Sequence, residues 1–153
     1  MTLPEGYQIK SFIELDSTNS EAFRQGEAGA SSGLWIFAVK QSKGKGRRGR
    51  KWISEEGNLF SSLLLRPECS LKEATNLSFV MSLAVWDVIS KITPSSLNIK
   101  CKWPNDILLN GKKIAGILLE SSAQRNNGVN LIVLGVGINL THCPEVTSYP
   151  TTS

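Results

Sequence analysis

The chain has 153 residues, 41% of them hydrophobic and 20% charged, with a formal net charge of +4; that is enough length for one domain with a buried core. No apolar run approaches the length of a membrane span, and residues 1–10 lack the basic start and apolar centre of a secretory signal. Cys69, Cys101 and Cys143 are odd in number and form no C-x-x-C, which argues against a disulfide framework or a zinc cluster and leads us to expect a cytoplasmic protein.

Residues 7–15 (YQIKSFIEL) partly alternate and predict a strand. Thr18-x-x-Glu21 has the spacing of a capping box, so a short helix is expected from near Asn19 to Gly26. The apolar run 34–40 (LWIFAVK) and the segment 58–66 (NLFSSLLLR) predict two further strands. Ser70-x-x-Glu73 is a second capping box and opens one long helical pattern over 71–92, with Pro94 beyond its end. Segments 97–102, 106–109, 113–120 and 129–140 all read as strands. Asn110-Gly111 is a strong hairpin signal, and 121–128 reads as a looser connection. Mostly strands with one long and one short helix imply an α+β fold, a mixed, largely antiparallel sheet with helices on one face. Residues 141–153, rich in Pro, Thr and Ser, show no periodicity and read as an irregular tail after a domain spanning 1–140.

The charge is unevenly spread. Residues 40–51 hold seven Lys and Arg, three glycines and no acid; the rest of the chain has ten Lys and Arg against thirteen Asp and Glu. A nucleic-acid binder usually spreads its cations over a face or along a helix, whereas one basic loop fits a small anionic ligand at least as well. Gly44-x-Gly46-x-x-Gly49 formally matches the dinucleotide fingerprint, but no helix pattern opens at the third glycine. What remains is a strand-to-strand loop in which glycines admit close backbone approach and Arg forks grip phosphate oxygens; a merely solvated basic loop is the alternative.

A second cluster bears on that choice. Lys102-Trp103-Pro104-Asn105-Asp106 lies between two strands, and Lys112-Lys113-Ile114-Ala115-Gly116 follows the hairpin turn. A tight turn explains Pro, Asn and Asp, and a solvated strand end explains Lys113. Yet these residues at a sheet end, with a basic loop elsewhere, can assemble a phosphate and metal site. Gly135-Val136-Gly137-Ile138-Asn139 is a strand with little side-chain bulk, which is costly unless something approaches its backbone.

Taken in order, Asp16-Ser17-Thr18-Asn19, the loop G-x-G-R-R-G-R-K-W ending at Trp52, K-W-P-N-D, K-I-A-G-I-L-x-E ending at Glu120, and G-x-G-I-N ending at Asn139 resemble the catalytic domain of biotin protein ligases. The resemblance runs from about residue 14 to 140. It implies a fold similar to class II aminoacyl-tRNA synthetases, and an enzyme that joins biotin to ATP as biotinyl-5′-AMP, with Mg2+ accompanying the ATP. The biotinyl group then passes to one lysine of a biotin-acceptor domain in a carboxylase.

Residue by residue, the resemblance implies that Lys113, Arg47 and Asp106 are catalytic, with Lys113 nearest the reacting centre. Asp106 serves acceptor-lysine activation or the metal. Ser17, Thr18, Asn19 and Gln41 match positions around biotin, with Gly44 and Gly116 giving close backbone approach. Lys45, Arg47, Arg50, Trp52, Lys113 and Asn139 match positions around ATP and the adenylate, Trp52 being the residue near adenine. The lone His142 is given no role.

Two departures stand out. The family loop usually begins G-R-G, whereas here it reads Gly44-Lys45-Gly46; lysine keeps the charge and loses the bidentate fork. Family members also generally continue past G-I-N, so the chain is expected to be incomplete at its C-terminus. No N-terminal DNA-binding domain, and so no repressor function, is expected. A non-catalytic binder of biotin or biotinyl-AMP is the alternative to a ligase, and nucleic-acid binding through 40–51 lacks interleaved aromatics beyond Trp52. A homodimer using the basic loop and nearby strand edges is also expected to be compatible with the sequence.

Overall fold

The computed structural model describes residues 3–123, 128–144 and 150–153. Its chain order is β1 (Gln8–Leu15), α1 (Thr18–Glu27), β2 (Leu34–Gln41), β3 (Leu59–Leu65), α2 (Leu71–Ala74), α3 (Leu77–Ile92), β4 (Ile99–Lys102), β5 (Asp106–Leu109), β6 (Lys112–Ala123) and β7 (Val129–Ile138). The strands form one seven-stranded sheet in the order β1-β2-β3-β7-β6-β5-β4. Only β1 and β2 pair in parallel, Gln8 opposite Leu34, and every other neighbouring pair is antiparallel. This is the mixed, largely antiparallel α+β sheet expected.

Strand β7 lies at the centre of the sheet and divides the core by its alternation. Leu131 and Val133 join Leu34, Ile36, Leu64 and Ala22 of α1 on one face. Val136 and Ile138 pack with Val85 and Ile89 of α3 on the other, together with Ile107, Ala115 and Ile117; Ile132 and Leu134 meet Leu63 and Ala74 of α2 there. The expectation of helices on one face therefore holds for α2 and α3 alone. α1 sits on the opposite face, because a crossover from β1 to a parallel β2 must leave and rejoin the same side of the sheet. α3 is apolar beyond its buried stripe: Val80, Leu83, Val88 and Ile92 are all more than half exposed.

Several local expectations need correction. Thr18 is not a cap: Ser17 occupies that position without a side-chain capping bond, and Glu21 pairs with Arg24 instead. The single helix expected over 71–92 is two. The capping box at Ser70 and Glu73 forms as expected, but α2 ends at Ala74, and the Thr75 hydroxyl donates to the Lys72 carbonyl at 2.7 Å. Such local bonding competes with helix continuation. The connection expected over 121–128 begins later, since β6 runs to Ala123, and residues 124–127 lie outside the described residues. The Asn110-Gly111 turn has positive φ at both residues, 49° and 81°, as a tight hairpin between β5 and β6 requires.

Of the segment after β7, residues 140–142 are held by Asn58. Its Oδ1 accepts from the backbone N–H groups of Leu140, Thr141 and His142 at 2.8, 3.1 and 3.2 Å. Further on, Lys113 N–H donates to Pro150 O at 2.8 Å and Thr152 N–H to Lys113 O at 2.9 Å. Residues 150–152 are thereby laid beside the start of β6.

Candidate active site

α1 covers only part of its face of the sheet. Beyond it, the same face of β7, β6 and β5 carries Gly135 and Gly137, Leu118 and Gly116, and Asp106, which the strand register places side by side. This floor, α1 and the basic loop enclose a cleft of about 880 Å³.

The basic loop is a short ribbon. Lys45 and Lys51 pair across it, Trp52 N–H donates to Gly44 O at 2.9 Å, and Gly46 N–H to Arg50 O at 2.7 Å. At its tip Arg48 and Gly49 both have positive φ, 56° and 73°, and the Arg48 value is uncommon for a side-chain-bearing residue. Arg47 Nη1 reaches across the cleft mouth and donates to Asn105 Oδ1 at 3.0 Å. Asn105 is itself fixed to β6, its Nδ2 donating to Ile117 O and its carbonyl accepting from Ile117 N–H, both at 2.8 Å.

Trp52 at the base of this ribbon lies against the glycine floor. A Cβ built on Gly137 would stand 2.5 Å from Trp52 Cε2, so that position must be glycine for the ring to lie there, and one on Gly116 would press on Cζ3 at 3.0 Å. Trp52 Nε1 is buried against this floor without a hydrogen-bond partner. Lys113 Nζ stands 5.1 Å from the centroid of the ring and 2.6 Å from Asp106 Oδ1, each side chain about one-fifth exposed (20% and 19%). The same Asp106 oxygen has no well-aimed hydrogen bond. The contact is thus an ion pair held by position more than by direction, and its ammonium can turn toward another anion.

The opposite end of the cleft is polar and neutral. Gln41 Oε1 accepts from Thr18 N at 2.7 Å and Thr18 Oγ1 at 3.1 Å, and Gln41 Nε2 donates to Ser54 Oγ at 2.9 Å. Asp16 anchors the approach to α1: Arg24 grips its carboxylate with contacts of 2.7 and 3.1 Å, and Ser17 N–H adds one at 2.8 Å. The Arg24 hydrogen bonds above all, with that of Ser17, pull the Asp16 pKa from 3.8 down to about 2.

Ser17, Thr18, Asn19, Gln41, Lys45, Arg47, Arg50, Trp52, Asp106, Lys113, Gly116 and Asn139 all line this one cleft, so the sequence motifs converge in space. Gly44 does not line it; it is packed behind the wall against Trp52 O and Ser54 Oγ. Among the described residues, seven Lys and Arg line the cleft against a single acid, Asp106. Sequence reasoning passed over Ser54, Ser62 and the role of Glu120, which sit behind the lining side chains. The arrangement can bind a neutral polar group beside Thr18 and Gln41 and a polyanion beside the cationic ribbon, with the Lys113 ammonium lining the same cleft.

Residues 11–139 match the model of the biotin/lipoate A/B protein ligase family. The chain is 44% identical over 130 residues to the biotin–[acetyl-CoA-carboxylase] ligase of Paracoccus denitrificans, covering 85% of this chain and 53% of that protein. It is 39% identical over 132 residues to the bifunctional ligase/repressor BirA of Bacillus subtilis, covering 86% and 40%. Among solved structures, the biotin protein ligase of Aquifex aeolicus in complex with biotin and ATP superposes with a TM-score of 0.74 at 34% identity, over 94% of this chain and 58% of that one. The chain thus spans about half the length of these curated relatives. Because the family model spans the sheet from β1 to the end of β7, and with it every motif that lines the cleft, the chain belongs to the biotin/lipoate A/B protein ligase family.

Proposed function

We propose that this chain is the catalytic domain of an ATP-dependent biotin–protein ligase of the cytoplasm. In the first step a biotin carboxylate oxygen attacks the α-phosphorus of ATP and pyrophosphate leaves, giving biotinyl-5′-AMP. In the second, the amine of an acceptor-domain lysine attacks the acyl carbon, the amide forms, and AMP leaves with the electron pair of the broken bond. The observation that carries this reading is the Lys113 ammonium, 2.6 Å from Asp106 and lining the same cleft as the neutral pair Thr18 and Gln41 and the cationic ribbon.

Two anions repel unless a cation stands between them, and a preplaced ammonium does this without reorganising at the moment of reaction. Lys113, Arg47 and Arg50 neutralise the carboxylate and phosphate; Lys45 adds charge at the ribbon. Ser17, Thr18, Asn19 and Gln41 hold the ureido end of biotin, and Gly116 gives close approach to the floor farther along, beside Trp52 and Lys113. Trp52 offers its face toward adenine, and Asn139 lies on the nucleotide side. A mixed anhydride hydrolyses readily, so the ribbon tied to Asn105 through Arg47 also shields it from water. Asp106, released from Lys113 as the ammonium turns to the anions, becomes an acceptor for a proton of the incoming lysine.

Mg2+ arrives on the triphosphate. No group of three His, Cys, Asp or Glu side chains is gathered among the described residues. Mg2+ would be carried by the ATP oxygens and would supply charge neutralisation at the phosphates, with Asp106 the cleft carboxylate among the described residues that could face it.

Labelled biotin with ATP and a carboxylase acceptor domain tests the proposal. Biotinyl-AMP and transfer to one acceptor lysine are expected. Biotin binding without adenylate would assign the chain to the non-catalytic binders, and no biotin binding would reject the reading.

A further inference from the structure

The cleft wall rests on a chain of buried hydrogen bonds that ends at Glu120. On β6, Glu120 lies opposite Val133, which packs on the α1 face. Its Oε2 accepts from Asn19 Nδ2 at 2.7 Å. Asn19 Oδ1 is 2.6 Å from Ser62 Oγ, and Ser62 Oγ is 2.8 Å from Thr18 Oγ1. Ser62, Asn19 and Thr18 are buried, and neither Ser62 nor Glu120 lines the cleft. Gly135 clears the space: a Cβ there would fall on the Asn19 carboxamide.

Counting protons along this chain gives it a direction. An ionised carboxylate only accepts, so the Asn19 amide must turn its NH2 group toward Glu120 and its oxygen toward Ser62. That oxygen also only accepts, so the single Ser62 proton is drawn to it. Thr18 then spends its own proton inside the wall, on Ser62 Oγ or on Gln41 Oε1, which also accepts from Thr18 N. Either way Thr18, which lines the cleft, has no hydroxyl proton left to offer a ligand and can only accept from one. The wall is an acceptor, suited to an N–H of the ligand.

We propose that Glu120 is a positioning residue which, by fixing the Asn19 amide and through it the Ser62 and Thr18 hydroxyl protons, makes the neutral end of the cleft a hydrogen-bond acceptor for a ureido N–H. The identity of the ligand rests on the ligase reading above. The inference accounts for the glutamate that closes the K-I-A-G-I-L-x-E segment, which touches neither the cleft nor the cationic ribbon. Networks of this kind lose their orientation when the group that anchors them is removed.

Calorimetry with biotin and, separately, with ATP tests it on the full chain and on Glu120→Met and Glu120→Gln. Glu120→Met is expected to weaken biotin binding at least 10-fold and ATP binding less than 2-fold. Glu120→Gln, which keeps an oxygen for Asn19, should recover most of the biotin affinity. Biotin binding by Glu120→Met within 2-fold of the parent, or an equal loss for both ligands, overturns the inference. The Asn19 side-chain amide resonances in 15N-labelled protein supply a readout that needs no ligand: they should move in Glu120→Met and stay near the parent positions in Glu120→Gln. A parent chain that binds no biotin rejects the ligase reading. An unmoved Asn19 amide rejects the role of Glu120 by itself.

Discussion

Replacing Lys113 by methionine removes the ammonium while keeping most of the aliphatic stem. In the folded protein Nζ stands 2.6 Å from Asp106 Oδ1, with side-chain exposures of 20% and 19%. At an effective dielectric constant of about 20, two unit charges ~4 Å apart attract by about 4 kcal/mol. Stranding one partner of a fully buried pair costs ~3–5 kcal/mol; with a fifth of each side chain in water, about 1–3 kcal/mol is the reasonable scale here. Catalysis loses more, since a single preplaced group aimed at developing charge is worth ~3–4 kcal/mol, or roughly 10²–10³-fold in rate. Lys113→Met should therefore unfold at lower urea concentration and form biotinyl-AMP about 10²–10³-fold more slowly, measured by pyrophosphate release at saturating biotin and ATP. Adding Asp106→Asn removes the stranded carboxylate, so stability should return while adenylate formation stays low. A folded Lys113→Met protein that makes adenylate at the parent rate would refute the placing of this ammonium at the reacting centre.

Arg47→Gly breaks the bond to Asn105 at the cleft mouth; about 1 kcal/mol for an exposed bond predicts roughly 5-fold faster escape of biotinyl-AMP, seen in stopped-flow dissociation and as stray labelling of other lysines. Equal escape rates would show that the ribbon is not a gate. Gly137→Ala places a Cβ 2.5 Å from Trp52 Cε2 and forces the ring off the floor; overpacking on this scale costs about 1–3 kcal/mol, and calorimetry should show ATP affinity reduced at least about 5-fold. Asp16 has a folded pKa of about 2 against an ordinary 3.8, so its contribution to stability is complete above the higher value and is lost as pH falls from 3.8 toward 2. Melting curves of Asp16→Asn should accordingly lie below those of the parent at neutral pH and converge with them across that acid window; a constant gap down to pH 2 would contradict the assignment of the shift to Arg24.

Much of this protein was written locally. Alternation and apolar runs located the strands to within a few residues, Ser70 and Glu73 formed the capping box their spacing announces, and Asn110-Gly111 took the positive φ angles of a tight hairpin. The ordered motifs also named nearly every side chain that lines the cleft, because the groups that meet a ligand must be of definite chemical type wherever they sit in the chain. Tertiary structure alone decided which faces and which neighbours. Parallel pairing of β1 with β2 placed α1 opposite α3, a consequence of crossover geometry that no single segment encodes. Likewise Asn19 and Glu120 are 101 residues apart and become partners only when α1 docks on the central strands. The glycines of β7 show the division most clearly: their lack of bulk was visible in the sequence, but only packing shows that Gly135 yields its space to Asn19 and Gly137 to Trp52. Short-range order follows from backbone sterics and side-chain period among adjacent residues, whereas the proton direction of a buried network depends on atoms brought together by the whole sheet.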